Sequence, residues 1–185
     1  MKNYLFCLLV FVALIGLSCA SAPSDTPTSD VPASDTSTSD APSSRPQIEG
    51  EVTQTKVNDA LEQIYASYLT KLDMTGAREY TVVRGDTLSQ IARNFYGSLA
   101  DVGTAGTRNG FYFPLIMLAS PGTNIVDPDL IEPDMKLNIP DIKRNLANPV
   151  ARQAIKDCLT DVAYVYNKKG KPSEEEGLLR LANSL

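Results

Sequence analysis

The stretch YTVVRGDTLSQIARNFYG, from Tyr80 to Gly97, decides the fold of this chain because it predicts a strand, a tight turn and a helix in succession. YTVV has the aromatic and β-branched residues of a short strand, and RGD supplies the turn. Asp86 or Thr87 can then cap a helix. The apolar residues of that helix recur at i, i+3, i+4 and i+7, namely Leu88, Ile91, Ala92 and Phe95. Gly97 is expected to end it in the left-handed conformation.

YTVVRGDTLSQIA followed by FYG resembles the first half of a LysM domain, a small βααβ module that binds N-acetylglucosamine polymers. The second half follows in order. FPLIMLA, Phe113 to Ala119, matches the second helix, and IVDPDLIEPDMKLNIP, Ile125 to Pro140, matches the closing strand. The resemblance covers residues 79–140 and implies an α+β fold with a two-stranded antiparallel sheet.

The resemblance also implies a shallow glycan groove between the loop after the first strand and the loop after the second helix. The implied ligand-binding residues are Gly85, Asp86, Thr87, Leu88, Ser120, Pro121, Gly122, Thr123, Asn124 and Ile125. The glycines would let a sugar approach the backbone, while Leu88 and Ile125 would offer an apolar floor. Asp86 and Thr87 are equally typical of helix caps, and capping is compatible with binding.

The chain departs from the LysM pattern in three places. The connection between Gly97 and Phe111, SLADVGTAGTRNG, is long and Gly-rich, and could be a lid, a partner-binding loop or a plain insertion. Ser120 stands where an asparagine is common. Asp134 replaces a glycine before the last strand, so we expect this aspartate to adopt the positive φ that glycine would take.

Composition limits the chemistry of this 185-residue chain. It has a net charge of -5 and no histidine. An acidic balance offers no basic face for nucleic acid. The lack of histidine removes the commonest zinc ligand, the usual general base and the Ser/His and Cys/His pairs. We therefore expect no catalytic residues, no metal and no cofactor, and a wall hydrolase is disfavoured.

The N-terminal residues 1–20 are typical of an export signal, with Lys2 followed by an apolar run. GLSC, ending at Cys19, resembles the relaxed lipobox of spirochaetal lipoproteins and implies lipidation at Cys19; cleavage after Ala20 is the alternative. Residues 21–50 are rich in Ser, Thr, Asp and Pro, with a near-repeat of SDTPTSDVPA. This composition predicts a disordered tether, or only a low-complexity tail.

Additional helices are predicted on both sides of the LysM-like unit. Residues 51–76 carry a wide apolar stripe at helical spacing: Val57, Leu61, Ile64, Tyr65, Tyr68, Leu69 and Leu72. Within residues 141–185, Asn148 is expected to cap a helix that buries Cys158. Ser173 and Glu176 predict a capping box for a last helix. We expect these helices to pack around or beside the LysM-like unit.

Two functions remain open from the sequence. The first is an exported lipoprotein of the cell envelope, anchored in a membrane by lipid and facing the periplasm or wall, that binds peptidoglycan. The second is the same fold used to contact an envelope protein partner, with a decayed sugar groove.

Overall fold

The computed structural model describes residues 45–97, 108–121 and 128–185. The predicted signal peptide, with Cys19, and residues 21–44 of the predicted tether lie outside the described residues. The elements follow in the order α1 (Gln54–Leu69), β1 (Arg78–Thr81), α2 (Leu88–Tyr96), a 3₁₀ helix (Arg108–Tyr112), α3 (Phe113–Leu118), a second 3₁₀ helix (Pro128–Leu130), β2 (Lys136–Ile139), α4 (Ile142–Ala147), α5 (Pro149–Lys168) and α6 (Pro172–Asn183).

The two strands form an antiparallel sheet in which Arg78 pairs with Ile139 and Thr81 with Lys136. The predicted α+β class and two-stranded sheet are therefore confirmed. β1 begins before the predicted Tyr80, and β2 occupies only the end of the segment that was matched to the closing strand. Pro128 opens a 3₁₀ helix there instead, because proline cannot donate a hydrogen bond to a strand ladder.

Helix α2 begins as predicted and ends differently. Thr87 is its N-cap and accepts a hydrogen bond from the Gln90 backbone N–H at 3.3 Å. Tyr96, with 2% of its surface exposed, takes a core position beyond the predicted stripe. The expectation of a left-handed Gly97 is wrong, because this residue keeps helical geometry with φ −63°. By contrast, Asp134 has φ +71°, which confirms the positive φ expected of a residue that replaces a glycine.

Helix α3 lies at the centre of the hydrophobic core. All six of its residues, FPLIML, are buried, so it has no solvent-facing side. It packs against α2 and β2 within the βααβ unit, and against α1 and α5 from the flanking segments. A helix that is apolar all round must be enclosed. Helices α1 and α5 cover the faces of α3 that the βααβ unit leaves uncovered.

The flanking helices bury the side chains that the sequence pattern selects. The predicted apolar stripe of α1 is buried from Val57 to Tyr68, and Cys158 on α5 is fully buried among aliphatic neighbours. Burial raises the pKa of the Cys158 thiol, which is therefore a poor nucleophile. Asn148 caps α5 as predicted, accepting from the Val150 N–H at 2.9 Å.

Packed structure begins before the predicted boundary at residue 51. Ile48 is 6% exposed and belongs to the core. The Arg45 guanidinium donates to Asp161 at 2.7 Å, and the Tyr68 hydroxyl donates to the same carboxylate, also at 2.7 Å. These contacts attach residues 45–48 to α5, so the end of the predicted tether is part of the packed fold.

The predicted capping box of α6 does not form. The helix begins at Pro172 with Lys171 as its N-cap, and no capping side chain accepts a hydrogen bond from a backbone N–H of its first turn. Proline is suited to the first helical position because its φ is already helical and its missing N–H would have no partner. Ser173 consequently lies inside the helix instead of preceding it.

The 3₁₀ helix at Arg108–Tyr112 contacts α6 through Phe111 and Gly177. A Cβ atom at position 177 would lie 2.0 Å from the Phe111 Cζ atom. Phe111 is half-buried and packs against the core. Gly177 thus allows a close approach between α6 and the segment that leads into α3.

We expect Gly177→Ala to destabilise the protein although alanine favours helices by about 1 kcal/mol. The methyl group must displace the Phe111 ring, and overpacking of this kind costs about 1–3 kcal/mol. Urea unfolding of the full chain should show a lower free energy of unfolding. In a Phe111→Ala background the same substitution should be neutral or stabilising; a stabilised single variant would contradict the close contact.

Candidate functional site

The first loop of the implied groove is organised by Asp86. Its Oδ2 atom accepts hydrogen bonds from the Val83 backbone N–H at 2.9 Å and from the Tyr80 hydroxyl at 2.8 Å. Gly85 makes the turn with φ +96°, a conformation that glycine adopts without steric cost. The Asp86 carboxylate therefore holds the loop together, and its hydrogen bond to Tyr80 raises the pKa of that phenol.

Thr87 and Leu88 differ in what they can offer a ligand. Thr87 is exposed, and its hydroxyl caps α2. Leu88 is only 1% exposed and belongs to the core, so it offers little of the apolar floor that the resemblance implied. The accessible part of this loop is formed by Gly85 and Thr87.

The second loop is described only at its start. Ser120 is 4% exposed, and its Oγ donates to the Ile116 carbonyl at 2.7 Å and accepts from the Asn138 N–H at 2.8 Å. This hydroxyl joins the end of α3 to β2. Pro121 is exposed. The four remaining predicted residues lie outside the described residues: Gly122, Thr123, Asn124 and Ile125.

A small cavity of about 100 Å³ opens beside the first loop. The βααβ unit and the C-terminal helices both contribute to its wall. Its described lining is Thr87, Leu88, Ser89, Phe113, Pro128, Tyr166 and Glu174. Because small-molecule pockets usually measure about 300–1,000 Å³, this cavity is suited to one substituent of a ligand.

Aromatic contacts support the apolar side of the cavity. The Phe113 and Tyr166 rings meet edge to face, with centroids 5.8 Å apart. The Lys169 and Lys171 ammonium groups lie 5.2 and 5.9 Å from the Tyr166 ring centroid. Cations at these distances are attracted to the face of an aromatic ring. The C-terminal segment thus brings both an aromatic surface and charge to this region.

Comparison with known protein families decides the nature of the βααβ unit. The family model described as LysM domain matches residues 80–140. The chain contains a LysM domain. No curated protein and no solved structure matches the chain significantly. LysM domains bind glycans such as peptidoglycan or chitin, are not catalytic, and typically occur in extracellular or cell-envelope proteins.

The cavity beside the LysM loop includes residues that sequence reasoning did not assign to a site. Tyr166 and Glu174 lie within residues 141–185, for which the sequence predicted only helices that pack around or beside the LysM-like unit. Neither lies in the segment that matches the LysM family. Their position depends on how α5 and α6 pack on the LysM domain, for which the local sequence carries no signal.

Larger clefts are lined by other residues. One of about 460 Å³ lies between residues 46–49 and α1, and one of about 320 Å³ includes Arg78 and Lys143. Neither includes a residue of the first LysM loop. Within the part of the chain that the structure describes, no acidic or cysteine cluster could hold a metal ion. No described helix is long and apolar enough to span a membrane.

The hydrogen bond from Tyr80 to Asp86 can be tested by titration of the Tyr80 hydroxyl. Asp86→Asn replaces the charged acceptor with a neutral amide, so the pKa of Tyr80 should fall towards the ordinary tyrosine value. The Tyr80 ring carbon signal, followed by NMR as pH is raised, measures this change. An Asp134→Asn variant is the control and should leave the Tyr80 midpoint unchanged. An unchanged midpoint in Asp86→Asn would contradict the bond.

Proposed function

We propose that this protein is a non-catalytic lipoprotein of the cell envelope that binds peptidoglycan through its LysM domain. The observation that carries this proposal is the LysM match over residues 80–140, together with a first loop whose accessible part is formed by Gly85 and Thr87. A glycine beside an exposed hydroxyl lets a sugar reach both backbone groups and a side-chain donor. The N-acetylglucosamine units of the glycan are the proposed ligand.

The N-terminal sequence supports attachment to a membrane. We assign residues 1–20 to a lipoprotein signal peptide, Cys19 to lipidation and residues 21–44 to a flexible tether. A tether gives the packed domain reach from the bilayer to a polymer that lies away from it. The protein would then hold its membrane and the wall together, or position a partner at the wall.

Binding by one such domain should be weak. The groove that the resemblance implies is shallow, a single LysM domain matches, and the chain has no tryptophan to stack on a sugar ring. We expect a Kd of roughly tens of micromolar to millimolar, as for small sites with few contacts. Lipid anchorage would compensate by holding many copies close to the polymer.

Substitution at Thr87 tests the groove directly. Full-length Thr87→Arg should lose most of its binding to purified insoluble peptidoglycan in a pull-down, because the long charged side chain fills the loop that the sugar approaches. Retained binding by a folded Thr87→Arg protein would place the glycan elsewhere. Failure of the folded parent to bind would overturn the proposal and favour the contact with an envelope protein.

Thr53→Arg is the matched control for this experiment. Thr53 is the N-cap of α1, exposed like Thr87, and it also accepts a hydrogen bond from the third helical residue at 3.3 Å. The substitution removes an equivalent cap and adds the same charge, but it lies outside the LysM domain. Each variant should lose about 1 kcal/mol of stability. Only Thr87→Arg should lose binding.

Detergent partitioning tests the anchor. In a bacterial host, the parent should enter the detergent phase, whereas Cys19→Ala should remain in the aqueous phase because it has no thiol to which a lipid can be attached. Cys7→Ala changes a cysteine inside the apolar run and should partition like the parent. Partition of Cys19→Ala into detergent would refute lipidation at this residue.

A further inference from the structure

The C-terminal helices form part of the cavity that adjoins the first LysM loop. Tyr166 belongs to α5 and Glu174 to the first turn of α6, and both line the cavity with Thr87 and Ser89. This wall lies outside residues 80–140, the segment that matches the family. A ligand that enters the cavity from the loop would therefore meet side chains that the LysM domain does not itself contain.

Glu174 is placed to act on such a ligand. Its side chain is half-buried, and among the described residues it makes no hydrogen bond and no ion pair. Neighbouring carboxylates on α6 are engaged: Glu175 accepts from the Asn167 side chain at 2.7 Å, and Glu176 pairs with Arg180. A half-buried carboxylate that lacks a partner gains from a hydrogen-bond donor on a ligand.

The other residues that line the cavity indicate which chemical group of a ligand should carry the hydrogen-bond donor. Leu88, Phe113, Pro128 and Tyr166 give the cavity an apolar side, whereas Thr87, Ser89 and Glu174 give it a polar one. The Ser89 hydroxyl also makes no hydrogen bond within the described residues. A volume of about 100 Å³ is too small for a sugar ring with its substituents. An acetamido group matches the two sides of the cavity, because its methyl group suits the apolar side and its N–H group can donate a hydrogen bond to the polar side.

The charges around the cavity favour a neutral donor over a cationic one. The Lys169 and Lys171 ammonium groups lie 5.2 and 5.9 Å from the centroid of the Tyr166 ring, which lines the same cavity as Glu174. An ammonium group on the ligand would meet these lysines as well as Glu174, and like charges repel. An amide N–H can bond to the carboxylate without that repulsion.

We infer that Glu174 is a glycan-contacting residue, contributed by α6 from outside the LysM domain, that accepts a hydrogen bond from the acetamido N–H of a bound sugar. The inference rests on the proposed glycan binding. Under this assignment the C-terminal helices complete the sugar site. They also increase its preference for N-acetylated sugars over sugars that carry a hydroxyl at the same position.

Calorimetric titration of the full-length protein with triacetylchitotriose tests the assignment, with cellotriose as the ligand that lacks acetamido groups. Glu174→Ala should weaken chitotriose binding about tenfold, since hydrogen bonds to charged groups are strong. Glu174→Gln keeps an acceptor without the charge and should lose a few-fold. Both variants should show a smaller preference for chitotriose over cellotriose. Glu175→Gln, with the same change of charge on the same turn, should bind like the parent.

The possible outcomes separate this inference from the proposed function. If the parent binds chitotriose, Thr87→Arg does not, and Glu174→Ala binds within twofold of the parent, the groove is correct and the role of Glu174 is refuted. If the folded parent binds neither chitotriose nor peptidoglycan, both proposals fail.

Hydrogen exchange of the unmodified parent gives a second test that does not depend on a variant. Chitotriose should slow exchange in residues 172–178 together with residues 85–90. Protection confined to residues 85–90 would exclude α6 from the site.

Discussion

The burial of α3 on every side is the constraint on which the rest of the structure depends. Its six residues carry no hydrogen-bonding side chain, so any face left in water would expose apolar surface. The two-stranded sheet and α2 cover only part of it. Helices α1 and α5 cover the remainder, and one continuous core results that runs from Ile48 to the C-terminal helix.

This requirement also determines what borders the first LysM loop. Once α5 is packed against α3, the Phe113 and Tyr166 rings meet, and α6 follows in contact with α5. The close approach of Phe111 to Gly177 brings the first turns of α6 to the LysM domain. The cavity at Thr87 and Glu174 is therefore a consequence of core packing, and its two walls come from segments far apart in the sequence.

The first LysM loop shows how structural groups and exposed groups divide within a short turn. The Asp86 carboxylate accepts two hydrogen bonds from its own neighbourhood, and Leu88 is withdrawn into the core. These contacts stiffen the loop, so that Gly85 and the exposed Thr87 keep a defined position. Rigid presentation of a few groups lowers the entropy cost of binding, which matters most where contacts are few.

The sequence by itself determined the elements whose causes are local. The strand, turn and helix around Arg84, the caps at Thr87 and Asn148 and the apolar stripes of α1 and α5 follow from propensity and spacing within a few residues. The left-handed Asp134 was expected instead from the resemblance, because the LysM pattern has a glycine at this position. Local rules failed at the end of α2, at Gly97, and at the start of α6. At each of these places two helix boundaries are acceptable locally, and the tertiary structure selects one. Only the tertiary structure decided that residues 45–48 pack, that Leu88 is too buried to offer a surface to a ligand and that Glu174 lines the same cavity as Thr87. Contacts of this kind depend on how apolar faces pack over long sequence separations, and a single-sequence pattern does not record which faces meet.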